Sequence, residues 1–190
     1  MSAWSWWGEV ESIYVVEPHA DDAYLSLGAF IQANAERVTI VTVFSGTRKR
    51  GADAAAYARA VGAKWVGLGL VEGDTGIGGD ALIPSIPLTR EDLPQDGVVI
   101  FPLGIQHPEH KAVAALAVDG DMFYVENPYQ LRQKNQGELR ALTEGRVLTY
   151  MNRPDGRAKY KFHDLFKDQG LFMYRNGPDA LESAVEMILR

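Results

Sequence analysis

The chain has no cysteine among its 190 residues. That excludes a disulfide scaffold and every thiolate metal site, so a metal ion would have to be held by His, Asp, Glu and water. No apolar run approaches the roughly 20 residues that a bilayer span requires, and no membrane segment is expected. There is no excess of positive charge either: the formal net charge is -6. Arg48-Lys49-Arg50 is too short to form the basic stripe that neutralises a phosphate backbone, so nucleic acid is not expected as a partner. This cluster reads as a solvated loop, with contact to an anionic part of a small substrate as the alternative. Met1 to Glu9 lacks a basic region followed by an apolar run, so no secretory signal is expected and a cytoplasmic location is the default. Histidine is scarce: there are only four.

What is present is the pattern of a soluble α/β domain. The hydrophobic share of 46% and the charged share of 23% are ordinary for a globular protein. The length fits one domain over residues 1–190, with no repeat, low-complexity tract or linker. Strands are expected at Ile13 to Glu17, Val38 to Phe44, Lys64 to Leu70, Val98 to Leu103 and Met122 to Val125. Helices are expected at Asp21 to Ala35 (buried stripe Leu25, Leu27, Phe30, Ile31), Ala52 to Val61 with Gly62 ending it, and His110 to Val118. Near-continuous apolar strands alternating with helices predict a Rossmann-like, mostly parallel sheet with helices on both faces. Glu72 to Pro94, rich in glycine, reads as a long loop with a brief helical turn after Thr89, and loops of that length are functional or mobile. Val147 to Tyr150 reads as an edge strand, and Pro154 to Gln169 and Pro178 to Leu189 as helices.

Three of the four histidines fall in two segments, Pro18-His19-Ala20-Asp21-Asp22 and His107-Pro108-Glu109-His110. Each follows a predicted strand, at the edge where open α/β sheets bind ligands. His19, Asp22 and His110 supply two nitrogens and one carboxylate, a set suited to Zn²⁺ with an open position for water. Asp21 is then free to act as a base, and His107 to stabilise an oxyanion or protonate a leaving amine. Taken alone, an Asp-Asp pair after a strand is often a helix cap, and a His-x-x-His is often loop decoration. Two such clusters at strand ends of one sheet favour the catalytic reading.

The stretch from Pro18 to Gly28 resembles the opening signature of the LmbE-like, or PIG-L, deacetylases, Pro-His-x-Asp-Asp. Val41 to Gly46 resembles that family's second strand and loop. Pro102-Leu103-Gly104 with His107-Pro108-Glu109-His110 resembles its second signature, usually His-Pro-Asp-His, and Tyr124 to Tyr129 its later Tyr-Glu-Asp-x-Pro-Tyr segment. Departures are Ala20, where many members have Pro, and Ala23, where many have Glu. The resemblance runs from about residue 13 to 130. It implies a metal-dependent hydrolase of N-acetyl groups, most often on N-acetylglucosamine-containing sugars or glycoconjugates. It also implies His19, Asp22 and His110 as zinc ligands (Fe²⁺ being the other candidate ion), Asp21 as general base and His107 as second catalytic group. An amidase acting on a non-sugar N-acyl substrate, and a non-catalytic sugar- or nucleotide-binding module, are the rival readings.

Other residues carry weaker signals. Tyr129 reads equally as pocket lining or core. Arg48 and Asp53 read as solvated loop residues, with hydrogen bonds to a sugar as the alternative. Trp4, Trp6 and Trp7 read as packing on the domain or between subunits of a homo-oligomer, and His163 reads as structural.

Overall fold

The computed structural model describes residue 7 and residues 9–72, 86–127, 129–153, 162, 165–166 and 185–190. Seven strands form one sheet: β1 (Ile13–Glu17), β2 (Val38–Thr42), β3 (Lys64–Gly67), β4 (Val98–Pro102), β5 (Met122–Tyr124), β6 (Leu148–Asn152) and β7 (Glu186–Leu189). Their order is β3-β2-β1-β4-β5-β7-β6. The first five are parallel, while β7 runs antiparallel to both of its neighbours. The helices are α1 (Asp22–Ala33), α2 (Arg48–Val61), α3 (Pro108–Ala114) and α4 (Gln136–Thr143). The sheet is therefore mixed and mostly parallel, in the Rossmann-like manner expected.

Side chains alternate across the strands and divide the core in two. Ile13, Val15, Ile40 and Ile100 pack with Tyr24, Phe30 and Tyr57 of α1 and α2. Val16, Val41, Val99 and Phe101 pack with Val113 of α3 on the other side. A strand covered on both faces must be apolar at nearly every position, which explains the uninterrupted runs in the sequence. The order of the strands matters most for the site. Chain progression runs outward from β1 through β2 to β3, then restarts at β4 on the other side of β1. This reversal opens a crevice between the carboxyl ends of β1 and β4.

Several local expectations hold. α2 ends at Gly62 with φ 84°, a left-handed conformation that glycine adopts without steric cost. Residues 90–92 form one helical turn, closed by reciprocal bonds between Thr89 and Asp92. α2 starts at Arg48, earlier than expected, because the Thr47 side chain caps it by accepting from the Arg50 amide at 3.4 Å. Leu148–Asn152 forms an edge strand. Trp7 is buried edge-on against Phe30 and its indole donates to the Thr149 carbonyl at 3.3 Å, so it packs on the domain.

Others are corrected. Residues 186–189, expected to end a helix, form β7 between β5 and β6. Glu186 on this strand accepts the amides of Ala29 and Phe30 at 2.9 and 3.0 Å, just after α1 breaks at Leu27 (φ -133°, ψ 23°). A carboxylate replaces the missing helical acceptors, a long-range arrangement that no local periodicity announces. α4 had no expected counterpart. Of the helix expected over 154–169, only Phe162, Leu165 and Phe166 are described. The two phenylalanines are buried, Phe166 against Tyr24 and Phe162 against Tyr57. Trp4, Trp6, His163 and residues 73–85 of the long loop lie outside the described residues.

Glu17, at the end of β1, is buried and ties three elements together. It accepts from the Thr42 hydroxyl at 2.6 Å and from the Ala23 amide at 2.9 Å. Burial pushes its carboxyl up to about 8 from the ordinary 4.5, although both hydrogen bonds pull the other way. A folded value above the unfolded one means that stability is fully present below the unfolded value and is lost as pH rises through about 8. Glu17→Gln is therefore expected to melt on the order of 5 °C above the parent at pH 9, the difference shrinking as pH falls from about 8 and nearly gone by about 5. Thermal melts across pH 5–9 check this, and a constant difference across that range contradicts it.

Candidate active site

β1 delivers Pro18 to Asp22 into the crevice. The pairing of β1 with the β2 segment continues past the strand end, with the Val43 amide bonded to the Glu17 carbonyl and that of Phe44 to the Pro18 carbonyl, both at 2.9 Å. The turn is then closed by Asp22, whose Oδ2 accepts from the His19 amide at 2.9 Å. The same oxygen lies 3.3 Å from His19 Nδ1 and 3.2 Å from His110 Nε2, and the two nitrogens are 3.3 Å apart. Three donor atoms thus form a nearly equilateral triangle. Ligands at the roughly 2.0–2.1 Å bond lengths of tetrahedral zinc lie about 3.3–3.4 Å from one another. The residues present therefore fit a tetrahedral ion with three protein ligands.

Asp21 occupies the N-cap position of α1, yet its side chain makes no capping hydrogen bond. The capping explanation thus fails for Asp21; Asp22 does sit in the first turn of α1, but its side chain folds back onto His19. Arg50 Nη1 lies 3.8 Å from the Asp21 carboxylate, and the same guanidinium holds Glu72 at 2.6 Å. Glu72 is the first residue of the long loop, so the loop starts within one arginine of Asp21. Burial and the charge of Asp22 push the Asp21 carboxyl up to about 6, against the pull of His19 and Arg50. Burial alone would raise Asp22 too, but the charge and hydrogen bond of His110, and those of His19, hold it well below the carboxylate range.

The second segment is placed by a strained backbone. Gln106 has φ 63°, the only positive value at a non-glycine among the described residues. Its amide donates to Glu138 of α4 at 3.0 Å, and its Oε1 accepts from Asn135 at 3.0 Å and Arg132 at 3.3 Å. These contacts hold the turn from which His107 emerges as the N-cap of α3, followed by Pro108 in its first turn. His107 Nδ1 accepts the Glu109 amide at 3.3 Å, so a neutral ring carries its proton on Nε2. Burial, followed by the positive rings of His110 and His19, lowers His107 to about 4. Its side chain is 38% exposed, against none for His110, so His107 faces the mouth of the crevice and His110 its floor.

Carboxylates support both ligand-type histidines from behind, and their roles were not read from the sequence. Glu109 Oε2 is 2.5 Å from His19 Nε2. Glu126 Oε1 is 3.3 Å from His110 Nδ1, and its carboxylate also accepts the amides of Leu103, Gly104 and Ile105 at 2.8–3.1 Å. Both lie inside the motif segments quoted above, which was the available signal. Tyr129 packs its ring edge-on against His110, with centroids 5.2 Å apart, so it lines the site. Asp53 sits half-buried in α2, and the side chain of Arg48 lies outside the described residues.

No family model matches the sequence, and a search of curated proteins gave no match. Solved structures do match. A teicoplanin deacetylase in its zinc-inhibited form superimposes with a TM-score of 0.65 at 15% identity, over 94% of this chain and 96% of that one. A deacetylase–teicoplanin complex gives 0.63 at 15% identity, over 93% and 98%. The N,N'-diacetylchitobiose deacetylase of Pyrococcus horikoshii, complexed with its inhibitor, gives 0.53 at 15% identity, over 97% and 85%. The chain has the fold of LmbE/PIG-L-type deacetylases.

Proposed function

We propose that this protein is a zinc-dependent N-deacetylase of the LmbE/PIG-L type, acting on an N-acetylated amino sugar or a glycoconjugate that contains one. The observation that carries the reading is the triangle of His19 Nδ1, Asp22 Oδ2 and His110 Nε2 at a strand-end crevice, beside a carboxylate that no cap consumes. Deacetylase chemistry is also what the structural neighbours' names describe, on teicoplanin in one case and on N,N'-diacetylchitobiose in the other.

His19, Asp22 and His110 would hold the ion, which when bound polarises the amide carbonyl and acidifies water. Asp21 takes the proton of the attacking water; a carboxyl near 6 is ionised at neutral pH and basic enough for that transfer. His107 stays neutral at that pH and offers Nε2–H to the oxyanion of the tetrahedral intermediate. Of the two roles open to it, this one needs no proton the ring does not already hold. Tyr129 borders the acyl site from the His110 side.

The test is a screen of N-acetylated amino sugars, short chitin-type oligosaccharides and glycoconjugates against the zinc-loaded protein, reading free amine and acetate together. Amine release that stops on chelation and returns with added metal is expected. Release from non-sugar N-acyl compounds alone would move the substrate class, and no release from any compound would leave a binding module.

A further inference from the structure

Glu109 stands between His107 and His110 in the first turn of α3, and its buried carboxylate meets His19. We propose that Glu109 is the positioning residue for His19: it takes the Nε2–H in a hydrogen bond and so fixes Nδ1 as the nitrogen presented to the ion. This inference rests on the metal site proposed above.

The argument follows from which nitrogens are committed. His19 Nε2 lies 2.5 Å from Glu109 Oε2, a charge-assisted separation. An ionised carboxylate has no proton to give, so Nε2 must carry the hydrogen. A histidine that binds an ion does so as the neutral ring, and with Nε2 protonated the lone pair is left on Nδ1, the atom at the corner of the donor triangle. Both side chains are shielded, with 11% and 7% of their surface exposed, so the bond acts in a medium of low polarity. Stacking of the His19 ring on Phe44, centroids 5.7 Å apart, restricts rotation out of this geometry.

Two other uses of Glu109 fail on the same geometry. Its Oε2 is 3.8 Å from His107 Nδ1, too far for a hydrogen bond, and that nitrogen already accepts the Glu109 amide. A nitrogen that accepts has no hydrogen to offer a carboxylate. His19, His107 and Glu109 also form a second group of donor atoms close enough to suggest a cation. A 2.5 Å edge, however, is far shorter than the roughly 3.3 Å between ligands of one tetrahedral ion. Binding there would also strip the proton that orients His19. An aspartate at this position would end about one carbon–carbon bond short of His19.

The experiment measures zinc affinity by competition with a chromophoric chelator, and the visible spectrum of the Co²⁺-substituted protein, for the parent, Glu109→Gln and Glu109→Asp. The glutamine keeps length and an acceptor oxygen but removes the charge; the aspartate keeps the charge but loses the reach. Both are expected to bind zinc about 10–100-fold more weakly than the parent, with an altered Co²⁺ spectrum and occupancy restored by excess metal. Metal-free melting temperatures report folding, and a variant that fails to fold leaves the other to decide. Parent-like affinity in a folded variant overturns the proposal while leaving the metal site intact. A changed pH–rate profile with unchanged affinity also overturns it, since the carboxylate would then act on His107. If the parent itself binds no ion, the site and this inference fall together.

Discussion

Asp21→Asn is expected to lower turnover by about 10²–10⁴-fold, the usual contribution of a general base, while zinc content and substrate affinity stay near those of the parent. The amide keeps the shape of the carboxylate but cannot accept the proton of the attacking water. Because the Asp21 side chain makes no capping bond, its replacement should leave α1 undisturbed. Excess zinc should not restore the rate. Asp22→Asn is the informative contrast, since its Oδ2 is the oxygen that meets His19 and His110. That variant should lose metal first and recover part of its activity when zinc is added. Single-turnover rates alongside elemental analysis separate the two. Rescue of Asp21→Asn but not of Asp22→Asn would exchange their roles, and indifference of the rate to both would remove the hydrolase reading.

His110→Ala is expected to abolish tight ion binding, weakening affinity by at least about 10²–10³-fold through loss of one of the three proposed protein ligands. The residue is wholly buried, so the change also leaves a cavity beneath Tyr129 and takes from Glu126 its histidine partner. A fall in metal-free stability of about 2–4 kcal/mol should accompany it. Glu126 keeps three backbone amides as partners, which should hold the loop and let the variant fold. Denaturant unfolding with and without zinc checks both halves. A variant as metal-rich as the parent would show that His110 is not a ligand.

Much of this architecture was legible because it is written locally. The buried strands announce themselves as apolar runs, Gly62 as a helix terminator, and the two His-containing segments as strand-end loops. Arg90–Asp92 could be expected from Thr89 because a capping pair needs only four consecutive residues. β7 and α4 were not legible. A short segment such as Glu186–Leu189 fits either helix or strand until β5 and β6 offer their edges to it. The roles of Glu17, Glu109 and Glu126 were not legible, although the last two lie inside motif segments, since nothing in one dimension shows a carboxylate being buried against a histidine or a row of amides.

The chemistry available is set along the chain: with no cysteine and four histidines, only nitrogen and oxygen donors could gather at the strand ends. So is the carboxylate pair that follows the first strand. That these donors meet is a product of the fold. His19 and His110 are ninety-one residues apart and converge because the strand order puts β4 beside β1. Tertiary packing also brings the Glu109 carboxylate from α3 onto His19, which sits in the turn between β1 and α1. Residue types come from the chain one at a time, whereas their distances arise when the two faces of the sheet bury their apolar surfaces together.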